Sequence, residues 1–133
     1  MADAAVADTH ALLFHVAGGR ALGPKAAAHF RAADEGLALI YVPMAVLMEV
    51  SFLARAGRGR LRVPPSVLFN TLFLNPAYQP LDLTSEQVFA AEELRFNRDP
   101  YDALVVAAAQ VLGLPLITRD ADIVASKTVK VLW

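Results

Sequence analysis

The stretch Ala5-Val-Ala-Asp-Thr-His-Ala-Leu-Leu-Phe-His-Val16 indicates the fold, because an apolar run passes through a single acid into a helical pattern. Ala5 to Ala7 is the apolar run, Asp8 is the acid, and Ala11 to Val16 is the helical pattern. A short apolar run that ends at a polar residue is typical of a buried strand. The stretch therefore predicts a strand-to-helix unit with a carboxylate at the junction.

The same alternation continues along the chain. Further strands are predicted from Leu37 to Val42, from Pro115 to Thr118 and from Lys127 to Trp133, with a weaker candidate from Tyr78 to Leu83. Further helices are predicted at Pro24–Ala33, Ala45–Ala56, Pro64–Leu74, Ser85–Phe96 and Pro100–Leu112. Strands that alternate with helices favour an α/β fold, in which helices cover both faces of a parallel sheet. Sites in such sheets lie at the carboxyl ends of the strands.

Composition limits the chemistry that is open to the chain. Its 133 residues, 56% of them hydrophobic, predict a single domain over residues 1–133, and no stretch resembles an interdomain linker. The formal net charge of −1 disfavours a protein that coats nucleic acid by bulk positive charge. With no cysteine and three histidines, a metal site would be built mainly from carboxylates, which suit Mg²⁺ or Mn²⁺.

Targeting and membrane signals are not predicted. Asp3 and Asp8 stand where a signal peptide would carry basic residues followed by an apolar run. The most apolar stretches, Leu37–Met48 and Ala103–Leu116, are shorter than the roughly 20 residues that a membrane-spanning helix needs. We therefore expect a soluble, cytoplasmic protein with no membrane partner.

Four separated acids are predicted to lie near the carboxyl edge of the sheet. Asp8 ends the first strand, and Asp120 comes just after the strand that runs up to residue 118. Glu49 lies on the helix after the second strand, and Asp102 lies in the first turn of the helix that begins at Pro100. Because the carboxyl ends of parallel strands share one edge, these four acids can converge on one cleft.

A cluster of carboxylates calls for a cation. Neighbouring carboxylates repel each other and raise each other's pKa unless positive charge lies between them. A divalent cation removes this repulsion, and when bound it can activate water and stabilise charge on a phosphoryl oxygen. Phosphodiester hydrolysis is the reaction that best uses such a cluster without cysteine, a histidine-rich site or a glycine-rich phosphate loop.

An arginine-rich segment follows the helix that carries Glu49. It contains Arg55, Arg58, Arg60 and Arg62, with Gly57 and Gly59 between them. Arginines beside an acidic metal site can hold a phosphate backbone and offset the repulsion between the carboxylates and a polyanion. The alternative is a solvated loop with no binding role.

Five stretches together resemble the PIN domain family, of the kind found in VapC-type toxin ribonucleases of type II toxin–antitoxin systems. They are Val6-Ala-Asp-Thr-His-Ala-Leu-Leu13, Met48-Glu-Val50, Arg98-Asp-Pro-Tyr-Asp-Ala-Leu104, Leu116-Ile-Thr-Arg-Asp120 and Val131-Leu-Trp133. Each stretch alone is a weak signal. The combination is specific, because it runs through nearly the whole chain in the order of the family.

The resemblance implies a three-layer α/β/α domain with a central parallel sheet of about five strands. It implies that Asp8, Glu49, Asp102 and Asp120 are catalytic and hold Mg²⁺ or Mn²⁺. Thr118 matches a small hydroxyl residue that orients a ligand or water in the site. The resemblance also implies an RNA substrate, a homodimer and a cognate antitoxin, for which the arginine segment is an alternative surface. Asn97-Arg98 stands where a histidine is expected, which puts the substrate in doubt.

Local structural roles compete with these assignments. Asp8 can simply cap the following helix, and a lone Glu49 can belong to a solvated helix face. Asp99 is favoured as the cap before Pro100, which leaves Asp102 at the third helical position as the metal ligand. Asp120 is favoured as a ligand over a turn residue, and Asp122 is open between the two roles. Trp133 is most simply a strand end that packs against a helix.

Three functions are compatible with the sequence. The leading one is a metal-dependent endoribonuclease that acts as the toxin of a toxin–antitoxin module. The second is a PIN nuclease of RNA processing that has no antitoxin. The third is a non-catalytic dimeric binding module, which the presence of all four acids disfavours because clustered carboxylates have no use without a cation.

Overall fold

A parallel five-stranded sheet organises the computed structural model, which describes residues 3–133. Its spatial order is β3-β2-β1-β4-β5, and every neighbouring pair is parallel. The strands are β1 Asp3–Ala7, β2 Ala38–Pro43, β3 Tyr78–Leu81, β4 Leu116–Ile117 and β5 Val131–Leu132. The chain leaves β1 towards β2 on one side and returns from β3 to β4 on the other side, so the strand order reverses at β1 and the carboxyl end of this strand is a topological switch point.

Seven helices flank the sheet within residues 3–133, and the predicted α/β/α fold is confirmed. They are α1 Thr9–Val16, α2 Pro24–Asp34, α3 Met44–Arg55, α4 Pro65–Leu72, α5 Ser85–Glu92, α6 Pro100–Leu112 and α7 Ala121–Ser126. None of the helices in this part of the chain is long and apolar enough to cross a bilayer.

The core lies along the central strand β1. Ala5, Val6 and Ala7 are completely buried, as expected for a parallel strand that is covered on both faces. Helix α6 packs against β1, and its buried members of the core cluster are Val105, Val106 and Ala109. The apolar core fixes β1 and α6 relative to each other, and each carries a site acid at one end.

Three segments differ from the sequence predictions. Helix α7 was not predicted, because Asp120 and Asp122 were interpreted as ligands or turn residues rather than as the start of a helix. The strand predicted from Lys127 begins only at Val131, because Lys127 adopts a φ of +54° and ends α7. The helix predicted over 85–96 ends at Glu92, which leaves an irregular segment before α6.

Candidate active site

Asp8 is held at the carboxyl end of β1 by two hydrogen bonds. Its Oδ1 accepts from the backbone N–H of Ala11 at 2.8 Å, so it caps helix α1. Its Oδ2 accepts from the hydroxyl of Thr118, a side chain that is completely buried. The capping role and the site role therefore coexist in one residue, and Thr118 orients a protein carboxylate.

Asp120 lies beside Asp8 because β4 is the neighbour of β1 in the sheet. It caps α7, with the N–H of Ile123 donating to its Oδ1 at 3.0 Å, and its own N–H donates to the Thr118 hydroxyl at 3.1 Å. Burial raises the pKa of Asp8, and the negative charge of Asp120 raises it further. Hydrogen bonds from Thr118 and Ala11 act in the opposite direction. The two acids thus form an electrostatically coupled pair.

Asp99 and Asp102 occupy different positions at the start of α6. Asp99 is the cap, as predicted, and its Oδ1 accepts from the N–H groups of Tyr101 at 2.9 Å and Asp102 at 3.3 Å. Asp102 is the third helical residue, and the side chain of Asn97 donates to its Oδ2 at 2.8 Å. Each of the two carboxylates therefore has one oxygen without a protein donor among residues 3–133, which is Oδ2 in Asp99 and Oδ1 in Asp102.

The pKa of Asp102 responds to the negative charges of the neighbouring acids. Its pKa is raised to about 6, first by burial and then by the negative charges of Asp99, Asp120 and Glu49, against the hydrogen bond from Asn97. Glu49 reaches this neighbourhood because its helix α3 packs against α6. Asp120 acts on both Asp8 and Asp102, so the four acids form one chain of mutually repelling carboxylates.

No cationic side chain lies within 4.0 Å of these carboxylates among residues 3–133, although burial, which raises the pKa of Asp8, is partly offset by the charge of His10 at a longer distance. Among residues 3–133, the one ion pair within 4.0 Å joins His15 to Asp34, far from the carboxyl edge of β1. In the same part of the chain, no three His, Asp or Glu side chains are close enough to hold one metal ion directly. The available donors are carboxylate oxygens, which fit Mg²⁺ because this ion is usually bound by one or two carboxylates and keeps several waters.

A pocket of about 250 Å³ opens beside Asp8 and Asp120. Its other walls are His10, Ala11, Phe14, Arg119 and Trp133. The sequence interpretation treated Trp133 as a packed strand end, and it did not single out Phe14 or Arg119. Arg119 could have been noticed as the residue directly before a candidate acid, whereas only the tertiary structure brings Phe14 to the same place.

Asn97 is a second residue whose role the sequence did not reveal. Its Nδ2 donates to Asp102 at 2.8 Å and, more weakly, to Asp122 at 3.4 Å, while its Oδ1 accepts from the N–H of Asp99 at 3.0 Å. The residue that departs from the expected pattern therefore ties three acids together. Asp122 lies exposed on the first turn of α7, so it is a helical residue and not a turn residue, and its role as a metal ligand stays a prediction.

The arginine segment forms the exposed connection between α3 and α4. The N–H of Arg58 donates to Leu53 O at 2.7 Å, which turns the chain as α3 ends. Arg58 and Arg60 line a depression together with His10 and Phe14, two residues that also line the pocket beside Asp8. The surfaces of the arginine segment and the acidic site are therefore continuous. The other two arginines do not line this depression. The guanidinium carbon of Arg55 lies 5.4 Å from the centroid of the Phe52 ring, and Arg62 lines a different depression at the end of α1.

Together, the fold and the site define an α/β protein with an acidic cluster at the carboxyl edge of a parallel sheet. The family described as PIN domain matches residues 5–128, so the chain belongs to the PIN domain family. PIN domains are nucleases, and the chain is therefore placed in a family of enzymes that hydrolyse nucleic acids. No protein of curated function matches the chain significantly.

Solved structures share this fold at low sequence identity. A chain of DNA-bound VapBC from Salmonella typhimurium is 16% identical with a TM-score of 0.69, and the match covers 98% of this chain and 97% of the other. A toxin–antitoxin complex from Klebsiella pneumoniae gives 19% identity, a TM-score of 0.62 and coverages of 97% and 96%. A chain of FitAcB from Neisseria gonorrhoeae is 17% identical with a TM-score of 0.62, and the match covers 95% of this chain and 94% of the other.

Proposed function

We propose that this protein is a metal-dependent endoribonuclease that acts as the toxin of a type II toxin–antitoxin module. The observation that carries the proposal is the acidic cluster of Asp8, Glu49, Asp102 and Asp120, in which burial and neighbouring carboxylates raise the pKa of Asp8 and of Asp102 while no cationic side chain lies within 4.0 Å of a carboxylate in residues 3–133. A cluster that costs free energy in the absence of a cation is best explained by a cation that binds there.

Mg²⁺ or Mn²⁺ would be held by these four carboxylates, directly or through water. When bound, such an ion lowers the pKa of a coordinated water and stabilises charge that develops on a phosphoryl oxygen. Thr118 fixes the carboxylate of Asp8, and Asn97 fixes that of Asp102. The protein thus holds two oxygen donors from different elements in set orientations before any ligand arrives.

RNA is the proposed substrate because the family resemblance implies it, and the positive charge beside the acidic site supports a polyanionic substrate. Arg58 and Arg60 are exposed. They line a depression whose other residues include His10 and Phe14, and these two residues also line the pocket beside Asp8. Their guanidinium groups are suited to hydrogen bonds with phosphate oxygens on either side of the scissile bond. This arrangement lets a polyanion approach four acids on a chain whose net charge is −1.

The toxin role and the partners rest on the structures that share the fold. Those structures include toxin–antitoxin complexes, some of which contain DNA. We extend this to a cognate antitoxin that covers the site and to a homodimer of the present chain. A PIN nuclease of RNA processing without an antitoxin, or a non-catalytic dimeric binding module, are the alternatives. A short neighbouring gene that encodes a DNA-binding antitoxin would favour the toxin over both.

The first experiment compares Asp8→Asn with Asp3→Asn, a matched change at the opposite end of the same strand. Asp3 is exposed and lies outside the acidic cluster. Each protein is expressed alone, and growth arrest and RNA cleavage are measured with Mg²⁺ and with a chelator. We expect the wild type and Asp3→Asn to arrest growth and cleave RNA only with metal, and Asp8→Asn to do neither. Metal-independent cleavage, or full activity of Asp8→Asn, would refute the proposal.

The second experiment tests the role of the arginines with the double variant Arg58→Ala/Arg60→Ala. Each lost phosphate contact lowers the dependence of log affinity on log salt by about one unit. We expect weaker RNA binding with a flatter salt dependence, and unchanged metal binding. Arg31→Ala, an exposed change on α2, is the control. Wild-type affinity and slope in the double variant would assign the segment to solvent or to the antitoxin.

A further inference from the structure

Aromatic and cationic side chains line the pocket beside the acidic pair on the side away from the carboxylates. Phe14 projects from α1, Trp133 follows β5, and Arg119 lies between β4 and α7. The Phe14 and Trp133 rings meet edge to face, with centroids 6.3 Å apart. Nothing in the proposed chemistry of the carboxylates uses these three residues.

Arg119 is placed as a stacking and hydrogen-bonding group. Its guanidinium lies 4.7 Å from the centroid of the Phe14 ring and 5.9 Å from that of the Trp133 ring. Although Asp120 is its neighbour in the chain, Arg119 forms no ion pair within 4.0 Å in residues 3–133. Its donors therefore remain available on a side chain that is largely exposed and is oriented by two aromatic rings.

The position of Trp133 is fixed by the first turn of α2. The N–H of Lys25 donates to the backbone oxygen of Trp133 at 3.2 Å. The indole packs so closely on Gly23 that an added Cβ would lie 2.5 Å from its Cδ1 and 2.7 Å from its Nε1. Because real Cβ atoms essentially never approach other atoms so closely, only glycine at this position leaves room for the ring. The aromatic wall is therefore in place before a ligand binds.

We propose that the pocket formed by Phe14, Arg119 and Trp133 is a nucleobase subsite, which holds one base of the RNA beside the phosphate at the acidic pair. The inference rests on the proposed ribonuclease function and deepens it, because a base held there would select where the RNA is cut. A volume of about 250 Å³ lies below the roughly 300–1,000 Å³ of pockets for drug-sized ligands and suits a single ring system.

The chemistry of the walls matches a base better than a phosphate. Unstacked bases of single-stranded RNA bind by stacking on aromatic rings and on guanidinium planes, and the guanidinium can also donate to base-edge acceptors. Arg119 is the one Arg or Lys among the residues that line this pocket, and two of the other lining residues are the acids Asp8 and Asp120, which is a poor donor set for a phosphate. The arginine segment, which shares Phe14 and His10 with this surface, is the complementary place for the backbone.

The test uses Trp133 as its own reporter, since it is the single tryptophan of the chain. Metal-free protein is titrated with short ribo-oligonucleotides of A, C, G or U, and with an abasic oligonucleotide of equal length. We expect base-containing oligonucleotides to quench the Trp133 fluorescence, with a preference among the four bases. The abasic oligonucleotide should bind more weakly and leave the fluorescence unchanged.

Variants separate stacking from packing. Phe14→Leu and Arg119→Gln should each weaken binding by about 5- to 100-fold, the effect of losing one base–aromatic stack, and should not change affinity for the abasic oligonucleotide. Gly23→Ala should displace the indole, change its fluorescence without ligand and weaken binding in the same way. Arg31→Ala on α2 should behave as wild type. Binding without quenching, or unchanged affinity in both Phe14→Leu and Arg119→Gln, would overturn the subsite.

Cleavage mapping distinguishes this inference from the function on which it rests. With Mg²⁺ present, Arg119→Gln should redistribute the cut positions on a long RNA while cleavage continues. Base-dependent quenching without any cleavage would reject the ribonuclease and keep the base subsite. Cleavage at unchanged positions in Arg119→Gln, without quenching in the wild type, would reject the subsite and keep the ribonuclease.

Discussion

Two polar clusters lie at opposite ends of the strands and differ in how their charges are satisfied. Near the start of β3, the buried hydroxyl of Tyr78 donates to Asp34 Oδ1 at 2.5 Å and lies 3.1 Å from His15 Nε2. His15 also stacks on Phe30, with centroids 4.4 Å apart. At the carboxyl edge, in contrast, acids face acids, and the donors that reach them are backbone N–H groups, Thr118 and Asn97.

The contrast separates a structural cluster from the acidic cluster that we propose as the metal site. In the first cluster, the negative charge of Asp34 meets a hydroxyl donor and a histidine, so the group joins α1, α2 and β3. Burial and the bond to Asp34 raise the pKa of Tyr78, which keeps its hydroxyl a donor. In the second cluster, repulsion between the carboxylates favours a cation. We therefore expect changes at the two clusters to affect different measurements.

The largest effect is expected from Asp102→Asn, which removes a proposed metal ligand and keeps the shape of the side chain. The amide oxygen can still accept from Asn97, so the fold should be retained. Cleavage should fall by at least about 100-fold, since a bound metal contributes several kcal/mol to stabilising the transition state. Metal-dependent cleavage assays measure this loss, and near-normal cleavage would remove Asp102 from the site.

The opposite result is expected from Tyr78→Phe in the structural cluster. The ring still fills its buried position, but the hydroxyl that bonds to Asp34 is lost. Hydrogen bonds to charged groups contribute about 1.5–3 kcal/mol, so unfolding in urea should show a loss of that order, reduced by the half-exposure of Asp34. RNA cleavage should be unchanged at temperatures where the variant stays folded. A loss of cleavage without a loss of stability would contradict the division between the clusters.

Asp99→Ala tests whether Asp99 and Asp102 have different roles within the acidic cluster. Asp99 accepts from two backbone N–H groups at the start of α6, so its loss should reduce stability by about 0.5–2 kcal/mol. Cleavage should be reduced but still present, because Asp102 remains on the helix. Melting curves and cleavage assays on both variants decide the assignment. An Asp99→Ala protein with unchanged melting temperature and no cleavage would make Asp99 the metal ligand.

The smallest expected effect is a pH-dependent gain in stability for metal-free Asp102→Asn. The pKa of Asp102 is raised from 3.8 to about 6, so the folded protein binds this proton more tightly than the unfolded chain. Its contribution to stability is therefore lost as the pH rises from about 4 to about 6. We expect the variant to melt above the wild type at pH 7 and to lose this advantage at pH 4. Asp3→Asn is the control, and a constant difference at both pH values would contradict the proposed repulsion.

Added Mg²⁺ should reverse this order of stability. A ligand that binds only the folded state stabilises it, and the stabilisation grows with the logarithm of the ratio of ligand concentration to dissociation constant. The wild type should therefore gain more than Asp102→Asn, whose proposed metal ligand is gone. An equal gain in both proteins would place the metal elsewhere.

Local signals alone were sufficient for much of the fold and for the capping residues. The boundaries of α6 follow from Asp99-Pro100 at one end and Gly113 at the other, where φ is +67°. β1 and β2 were predicted because buried parallel strands are short apolar runs. The sequence does not predict helix α7, because its six residues are too few for a periodic pattern. The helix is held by its Asp120 cap and by the buried side chain of Ile123.

Local patterns of residues were enough for the fold class, the family resemblance and the four candidate acids, because strand ends and helix starts are local and share one edge in any parallel sheet. The surroundings of those acids became visible in the folded protein alone. Asn97 reaches Asp122, His15 meets Tyr78 across 63 positions, and Phe14 packs against Trp133 near the other end of the sequence. Such contacts depend on the packing angles of helices against the sheet, which no local pattern of residues encodes.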